Sequence, residues 1–493
     1  MLVGRLVRLL PLLLFPLFAA CRAPAQDALV FAIATAPASL HPLLATDAVS
    51  ERINALLYRP MVELDRSAQP VAGLVRWQAV DDRHYLLTLA AGIAPFADGS
   101  PVTLADVGAS LLQARDNPAS PHATTLRNIR DIEQQNGLIR LVLSQPDPRL
   151  PGKLHLGVAP ARLLADPQRL ARAPVGSGAF RFVTWLADGG VMLQRRRDGL
   201  RVRFAVVPDP TMRALKLLRG EANLIQNDLP YEMYPVLQRN PAIRLHEVAG
   251  STFAYLGFNL RDPVTADRRI REAVAHAIDR QAIVRYLFMG HAELCNTLLT
   301  AGHWATNPEL RAYAYDPARA RALLAAAGYG PGHPLQLVYK TSTDPFRLRV
   351  AAVIQAQLAE VGIDLQIQSN EWGTFFGDIK AGRFQMYSLS WVGIRSPDIF
   401  RHVFHSDSQP PGGANRGRYA SAEVDRLIDT AERLPQRAAR ALYWRVQELV
   451  HRDLVYVPLW HENNLLLSRG IEGALPAPDG SYRFLEQVSL IHE

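Results

Sequence analysis

The chain contains 493 residues, of which 48% are hydrophobic and 20% are charged. A single hydrophobic core stops growing at about 250–300 residues, so we expect at least two domains, and this composition excludes a disordered chain and a protein with many membrane spans. The 54 basic residues exceed the 46 acidic ones by a net charge of +8, but the excess is spread along the chain without a basic block, so we expect no nucleic-acid binding.

The first 20 residues predict export. Two arginines precede a short apolar run over residues 9–18, and two small residues follow it. The run is too short for a membrane span of about 20 residues, so we interpret 1–20 as a signal peptide. The next residue, Cys21, completes a pattern that resembles the lipobox of bacterial lipoproteins, which predicts a lipidated Cys21 and a membrane anchor. Alternatively, the Ala-Pro-Ala segment at 23–25 is an ordinary cleavage site; in both cases the mature chain lies outside the cytoplasmic membrane.

The first half of the remaining chain mixes strands with helices. Hydrophobic periodicity and turn residues predict strands over 29–34, 84–89 and 138–143, and helices over 47–58 and from Thr103 onward.

Helices and strands are predicted most clearly between residues 260 and 460. Successive helices are predicted over 269–277, 280–289, 317–327, 346–361, 372–381, 423–433 and 437–452. Asp279 and Asp316 cap the second and third of these helices, and Gly290, Gly328 and Gly362 end the second, third and fourth. Strands are predicted over 335–339, 363–367, 384–391 and 455–460. The strand-helix-strand order over 335–367 predicts a parallel pair with a right-handed crossover.

Sequence motifs for catalysis are absent. The chain has no His-Glu-x-x-His motif and no Walker A loop, and Gly176-Ser177-Gly178 is too compact for a nucleophile elbow. Cys295 has no partner if Cys21 is lipidated or removed, and we interpret it as a packing residue. We expect no enzymatic activity, no cofactor and no metal site, although hydrolases without readable motifs exist.

Several segments, in this order and spacing, resemble the bacterial extracellular solute-binding proteins of family 5, the peptide/nickel type that serves ABC importers. These segments are Ala-Pro-Ala-Ser-Leu-His-Pro at 36–42, Pro-Val-Gly-Ser-Gly-Ala-Phe-Arg-Phe at 174–182, Phe-Ala-Tyr-Leu-Gly-Phe-Asn at 253–259, the helix at 271–280, and Tyr-Asp-Pro at 315–317 with Ala-Gly-Tyr at 327–329. The resemblance covers nearly the whole mature chain, and His41 departs from the aspartate usual at its position.

The resemblance implies an α/β, bilobed periplasmic-binding-protein fold with two crossover strands and an extra subdomain in the N-terminal lobe. We expect lobe I to comprise 27–58, 175–257 and 466–493, its subdomain 59–174, and lobe II 258–465. Crossings between the lobes are expected near 256–260 and 464–468.

The resemblance also implies the function and the site. We expect a periplasmic, monomeric substrate-binding component of an ABC importer, with a permease and an ATPase as partners and a peptide or peptide-like ligand. A secreted or anchored hydrolase, or a ligand-sensing domain for a membrane signalling partner, is the alternative. The expected ligand-binding residues are Ser39, Phe258, Asn259, Trp372, Trp391, Arg395 and Asp398.

One departure from the family's pattern removes a negative charge from the expected binding site. Family members carry an aspartate shortly after a Gly-Trp pair, and it binds the α-amine of the peptide; here Ile394 takes that position. A buried ammonium without a counter-charge is costly. Either Asp398 pairs with the amine, or the ligand has no free α-amine there and Arg395 faces an anionic group instead.

Overall fold

The computed structural model describes residues 28–65, 69–394 and 396–491. The predicted signal peptide, Cys21 and Arg395 lie outside these residues.

The described chain contains both strands and helices along its whole length. The strands are β1 (Leu29–Ile33), β2 (Val62–Leu64), β3 (Pro70–Ala72), β4 (Val75–Ala79), β5 (His84–Leu89), β6 (Ile129–Gln135), β7 (Leu138–Leu143), β8 (Phe180–Trp185), β9 (Val191–Arg195), β10 (Arg201–Val206), β11 (Leu224–Gln226), β12 (Ile243–Phe258), β13 (Ala292–Leu294), β14 (Leu335–Ser342), β15 (Ile363–Asn370), β16 (Met386–Trp391), β17 (Tyr456–Arg469), β18 (Ile471–Glu472) and β19 (Ser489–Leu490). The α-helices are α1 (Ala48–Leu57), α2 (Leu104–Asp116), α3 (Ala123–Leu126), α4 (Leu150–Lys153), α5 (Ala161–Leu164), α6 (Pro167–Arg172), α7 (Pro210–Arg219), α8 (Tyr234–Gln238), α9 (Arg268–Ala277), α10 (Arg280–Tyr286), α11 (Pro317–Ala326), α12 (Pro345–Glu360), α13 (Trp372–Ala381), α14 (Ile399–Phe404), α15 (Ala422–Glu432) and α16 (Gln436–Arg452).

Helix caps explain why the predicted boundaries hold. The carboxylate of Asp279 accepts a hydrogen bond from the backbone of α10, Asp316 does the same for α11, and Asp344 for α12. Helix α13 ends at Gly382, whose φ of 78° is the left-handed conformation that glycine adopts without strain. The predicted parallel pair is confirmed, because β14 and β15 run parallel in continuous register from Leu335 opposite Ile363.

Two long strands join the lobes. One sheet has the order β15-β14-β16-β12-β17-β11-β1-β10-β9-β8, and the antiparallel pair β12 and β17 lies at its centre. The register between them is irregular from Val248 to Thr252. Before this break β12 packs with lobe I, through Ile243; after it β12 packs with lobe II, through residues such as Ala254. We therefore propose that the chain crosses between the lobes at this break, somewhat earlier than the crossing predicted near 256–260.

The extra subdomain contains a separate antiparallel sheet of order β4-β5-β7-β6. Its buried side chains, such as Leu87 and Leu141, belong to the same continuous core as Phe31 and Phe204 of lobe I, so the subdomain packs as part of that lobe. Among the residues that the structure describes, no helix combines the length and the apolar composition that a membrane span requires.

Candidate functional site

A cavity of about 210 Å³ opens on lobe II at the carboxyl end of the parallel strand β14. In open α/β sheets this edge is the usual position of a ligand, because the loops that follow the strands can surround it. The cavity is lined by side chains of β12, β14, α12, α13, β16 and β17, with one residue just after β16: Ala254, Tyr255, Thr341, Ser342, Arg347, Val350, Trp372, Phe375, Ser388, Leu389, Ser390, Val392, Leu459 and Trp460.

The lining combines aromatic walls with hydroxyl groups. Tyr255, Trp372, Phe375 and Trp460 supply the rings, while two residues of β14 and two of β16 supply hydroxyls. Such surfaces bind a ligand through a large apolar contact area and orient it with a few polar groups.

Arg347 is the charged side chain of this lining. It lies in the first turn of α12, and its Nη2 donates to Oε1 of Glu462 on β17 at 2.9 Å. The nearby Glu462 carboxylate outweighs the effect of burial and raises the pKa of Arg347. Because a guanidinium has five N–H donors, Arg347 can hold Glu462 and still donate to an anionic group in the cavity.

A segment of lobe I lies against α12 beside the cavity. The ring of Tyr231 is 5.3 Å from that of Phe346 and 4.9 Å from that of Phe288. The neighbouring Glu232 accepts a hydrogen bond from Arg349 at 2.9 Å. The cavity on lobe II therefore lies next to a contact between the lobes.

A second contact between the lobes involves Asp398. Its Oδ1 is 3.0 Å from Nη2 of Arg149 and its Oδ2 is 3.8 Å from Nζ of Lys153, both in the subdomain of lobe I. Arg149 also donates to the hydroxyl of Tyr443 at 2.6 Å. Burial favours a higher pKa for Asp398, but Lys153 and Arg149 together lower it below its ordinary value. The protein's own cations thus neutralise the carboxylate that we considered as a partner for a ligand amine.

The two tryptophans that were predicted to bind the ligand lie in different surroundings. Trp372 is 54% exposed and lines the cavity. Trp391 is partly buried and does not line it; its ring instead packs against the guanidinium of Arg416, at 4.5 Å from the ring centre. Ile394 is partly buried against the same hydrophobic core as Trp391.

The remaining predicted residues stabilise the fold in this structure. Phe258 is fully buried in the core of lobe II. Asn259 donates its amide to the carbonyl groups of Gly382 and Phe384, both at 3.1 Å. The Ser39 hydroxyl accepts a hydrogen bond from the backbone N–H of His41 within the turn after β1. Each of these side chains thus has a structural role that needs no ligand. A direct contact of Phe258, Asn259 or Ser39 with the ligand stays a prediction.

Sequence reasoning missed Arg347 and Arg416. Arg347 could have been found, because it follows the predicted strand at 335–339 and opens the next helix, the place where ligand-binding groups gather in parallel sheets. Arg416 lies between α14 and α15, and no local pattern connects it with Trp391.

Known proteins of similar sequence extend along most of the chain. Heme-binding protein A of Haemophilus influenzae is 29% identical over 328 residues, which cover 64% of this chain and 59% of that protein. The glutathione-binding protein GsiB of Salmonella typhimurium is 26% identical over 496 residues, which cover 94% of this chain and 95% of that protein. The chain thus spans less than two thirds of the first of these relatives.

Solved structures share the fold. The periplasmic binding protein DppA of Helicobacter pylori, in complex with the peptide STSA, superposes with a TM-score of 0.79 at 24% identity and covers 94% of this chain and 98% of its own. NikA of Brucella suis, in complex with Fe(III)-EDTA, reaches a TM-score of 0.83 at 22% identity, with 94% and 99% coverage. The superpositions agree with the predicted bilobed α/β fold.

The family model for bacterial extracellular solute-binding proteins, family 5, matches residues 39–410. The match covers more than half of the sequence and includes Arg347, Trp391 and the cavity lining except Leu459 and Trp460. The chain therefore belongs to the bacterial extracellular solute-binding proteins of family 5.

Proposed function

We propose that this chain is the substrate-binding component of an ABC importer and that it binds a peptide or peptide-like solute between its lobes. The observation that carries this proposal is the cavity at the carboxyl end of β14, which lies beside contacts between lobe I and lobe II. A ligand held there is enclosed when the lobes approach each other, and closure excludes water from it.

The lining supports a peptide-like ligand. The side chains of Tyr255, Trp372 and Trp460 give apolar contact, and the hydroxyls can bind the amide groups of a main chain. Arg347 suits a carboxylate, such as the C-terminus of a peptide. The names of the relatives, which include dipeptide-, di/tripeptide- and glutathione-binding proteins, point to the same class of ligand.

The partners and the location follow from this role. A permease and an ATPase receive the solute from the closed form, and the chain acts as a monomer in the periplasm, where it is tethered by a lipid on Cys21. It carries solute and performs no chemistry on it. Ordinary cleavage at 23–25 would give the same protein without the tether.

The ligand can be identified directly. The full chain is purified under native conditions and denatured, and the released small molecules are analysed by mass spectrometry. Calorimetry with the recovered solute and small-angle scattering should then show binding together with a smaller radius of gyration. If the recovered solute is chemically altered after incubation with the chain, the hydrolase alternative is favoured. If the solute binds without a change in the radius of gyration, closure between the lobes is contradicted.

A further inference from the structure

The side chain of Arg416 occupies an aromatic enclosure beside the cavity. It is only 9% exposed, and its guanidinium carbon lies 4.5 Å from the ring centre of Trp391 and 5.2 Å from that of Phe376. Its Nη1 donates to the hydroxyl of Tyr255 at 3.1 Å. Aromatic faces attract a cation, but they leave the N–H groups at the edge of the guanidinium without acceptors.

Other deeply buried arginines in the described part of the chain donate several hydrogen bonds each. Arg271 donates four hydrogen bonds, three of them to Thr265, Ala266 and Leu454 carbonyls. Arg195, Arg213 and Arg280 also donate three or four each. Arg416, by contrast, makes a single side-chain hydrogen bond and no ion pair with any described residue. The other N–H groups of Arg416 are thus free to donate to an acceptor that a ligand brings.

Three more polar groups surround this arginine. The indole Nε1 of Trp391 and the hydroxyls of Tyr387 and Tyr456 are buried, and among the described residues their polar neighbours are one another and Tyr255. The ring of Tyr456 is 4.0 Å from that of Tyr255, and that of Tyr387 is 5.8 Å from it. Burial raises the pKa of both tyrosines, so their hydroxyls keep their protons and can donate.

We propose that Arg416, with Trp391 and the surrounding tyrosine hydroxyls, forms a subsite for a carboxylate of the ligand. This set contains more N–H and O–H donors than its tyrosine oxygens accept, and a carboxylate supplies two oxygens that match the fork of a guanidinium. The subsite lies beside the cavity, since Tyr255 lines the cavity and also binds Arg416, and Trp372 of the lining stacks on Phe376 at 5.4 Å.

This inference rests on the proposed function and narrows its ligand class. The partly buried Ile394 adds no negative charge near Trp391, and Asp398 is paired with Arg149 and Lys153. The end of a ligand that reaches Trp391 therefore meets a cation. The ligand carries an acidic group there in place of a free α-amine, and a second carboxylate at its other end suits Arg347.

Three matched probes test the charge at this end: trialanine, N-acetyl-trialanine and N-succinyl-trialanine, which replaces the ammonium with a carboxylate. Titration calorimetry of the full chain should show that the succinyl probe binds at least about tenfold more tightly than the acetyl probe, with trialanine weakest. Arg416→Gln should bring the succinyl and acetyl probes to similar affinity, while Arg445→Gln, in an exposed ion pair with Glu423, should leave the preference unchanged.

Two further controls keep the outcome clear. Arg416→Lys retains the charge but not the fork, and should keep a reduced preference. If Arg416→Gln does not fold, as judged by circular dichroism, Trp391→Phe removes the indole donor and should lower the preference several-fold. Equal binding of the acetyl and succinyl probes, or a preference that survives Arg416→Gln, overturns the carboxylate subsite and leaves peptide binding intact. Binding of none of the three probes overturns both proposals.

Discussion

Arg149 and Asp398 join the two lobes, with Nη2 of the arginine 3.0 Å from Oδ1 of the aspartate. The arginine side chain is 14% exposed and the aspartate 26%, so water screens this pair less than a surface ion pair. The same guanidinium lies 5.3 Å from the ring centre of Tyr443 in lobe II. The contact therefore stabilises the form in which the subdomain touches lobe II.

Replacing this carboxylate should favour the open form. We expect Asp398→Asn to enlarge the radius of gyration of the ligand-free chain, and to weaken every ligand by a similar factor, because a smaller closed population lowers all apparent affinities equally. Small-angle scattering and calorimetry measure the two effects, and Glu423→Gln, within an exposed pair of lobe II, is the control. A selective loss of peptides with free amines would instead identify Asp398 as the binding group for the α-amine.

Removing the cation of the cavity should weaken ligands that end in a carboxylate. We expect Arg347→Gln to reduce the affinity for N-acetyl-trialanine about tenfold, since a hydrogen bond to a charged group contributes about 1.5–3 kcal/mol. The amidated form of the same peptide should lose much less. Calorimetry with both peptides checks this, and an equal loss for the two would show that Arg347 acts through the structure of the site and not on the carboxylate.

The buried His41 should make the stability of lobe I depend on pH. Its side chain is 1% exposed, Nδ1 accepts from the backbone N–H of Leu43 at 3.2 Å, and burial lowers its pKa to about 4. The unfolded chain binds a proton near pH 6.5 whereas the folded chain does not, so stability is greatest above pH 6.5 and falls as the pH drops toward 4. For this group the loss amounts to about 3 kcal/mol.

An asparagine at this position separates the titration from the packing. His41→Asn keeps an acceptor for Leu43 but cannot be protonated, so the loss of stability between pH 6.5 and 4 should be smaller than in the unmodified chain. Thermal unfolding by calorimetry at several pH values measures this, with the exposed His333→Asn as control. An unchanged pH dependence in His41→Asn would mean that other groups cause the loss.

The proposed anchor predicts membrane partitioning. The mature chain should sediment with membranes, and Cys21→Ser should release it into the soluble fraction, because a lipid chain needs the thiol for attachment. Fractionation followed by immunoblotting, with the mass of the mature N-terminus, checks this. If the serine variant partitions as the unmodified chain does, the lipid anchor is excluded.

Local patterns predicted the elements of lobe II well. The helix over 346–361 and its flanking strands were predicted because caps, glycines and hydrophobic spacing lie within a few residues of one another, and these signals act before any long-range packing. Of strand β12 only 253–259 was recognised, through its resemblance to the family, since the first half of the strand carries charged and polar residues that are stabilised by pairing with β17.

The site was harder to predict because it is made by distant contacts. Trp391 was predicted to bind the ligand, but its contact with Arg416 depends on how the loop before α15 returns to the sheet. Asp398 was considered for a ligand amine, and only the packing of the subdomain shows that Arg149 is its partner, as no local pattern connects the two.

The irregular register between Val248 and Thr252 has a mechanical consequence. Before it β12 and β17 pair in continuous register from Ile243 to Val248, and after it they pair again from Thr252 with one more shift between Ala254 and Tyr255. Within the break few ladder bonds need to separate when the chain bends. The two lobes can therefore turn about this point while the strand pairing on each side of it is kept. The free energy of opening then depends mainly on contacts between the lobes, such as that of Arg149 with Asp398. A solute that adds contacts to both lobes can close them with little resistance from the backbone.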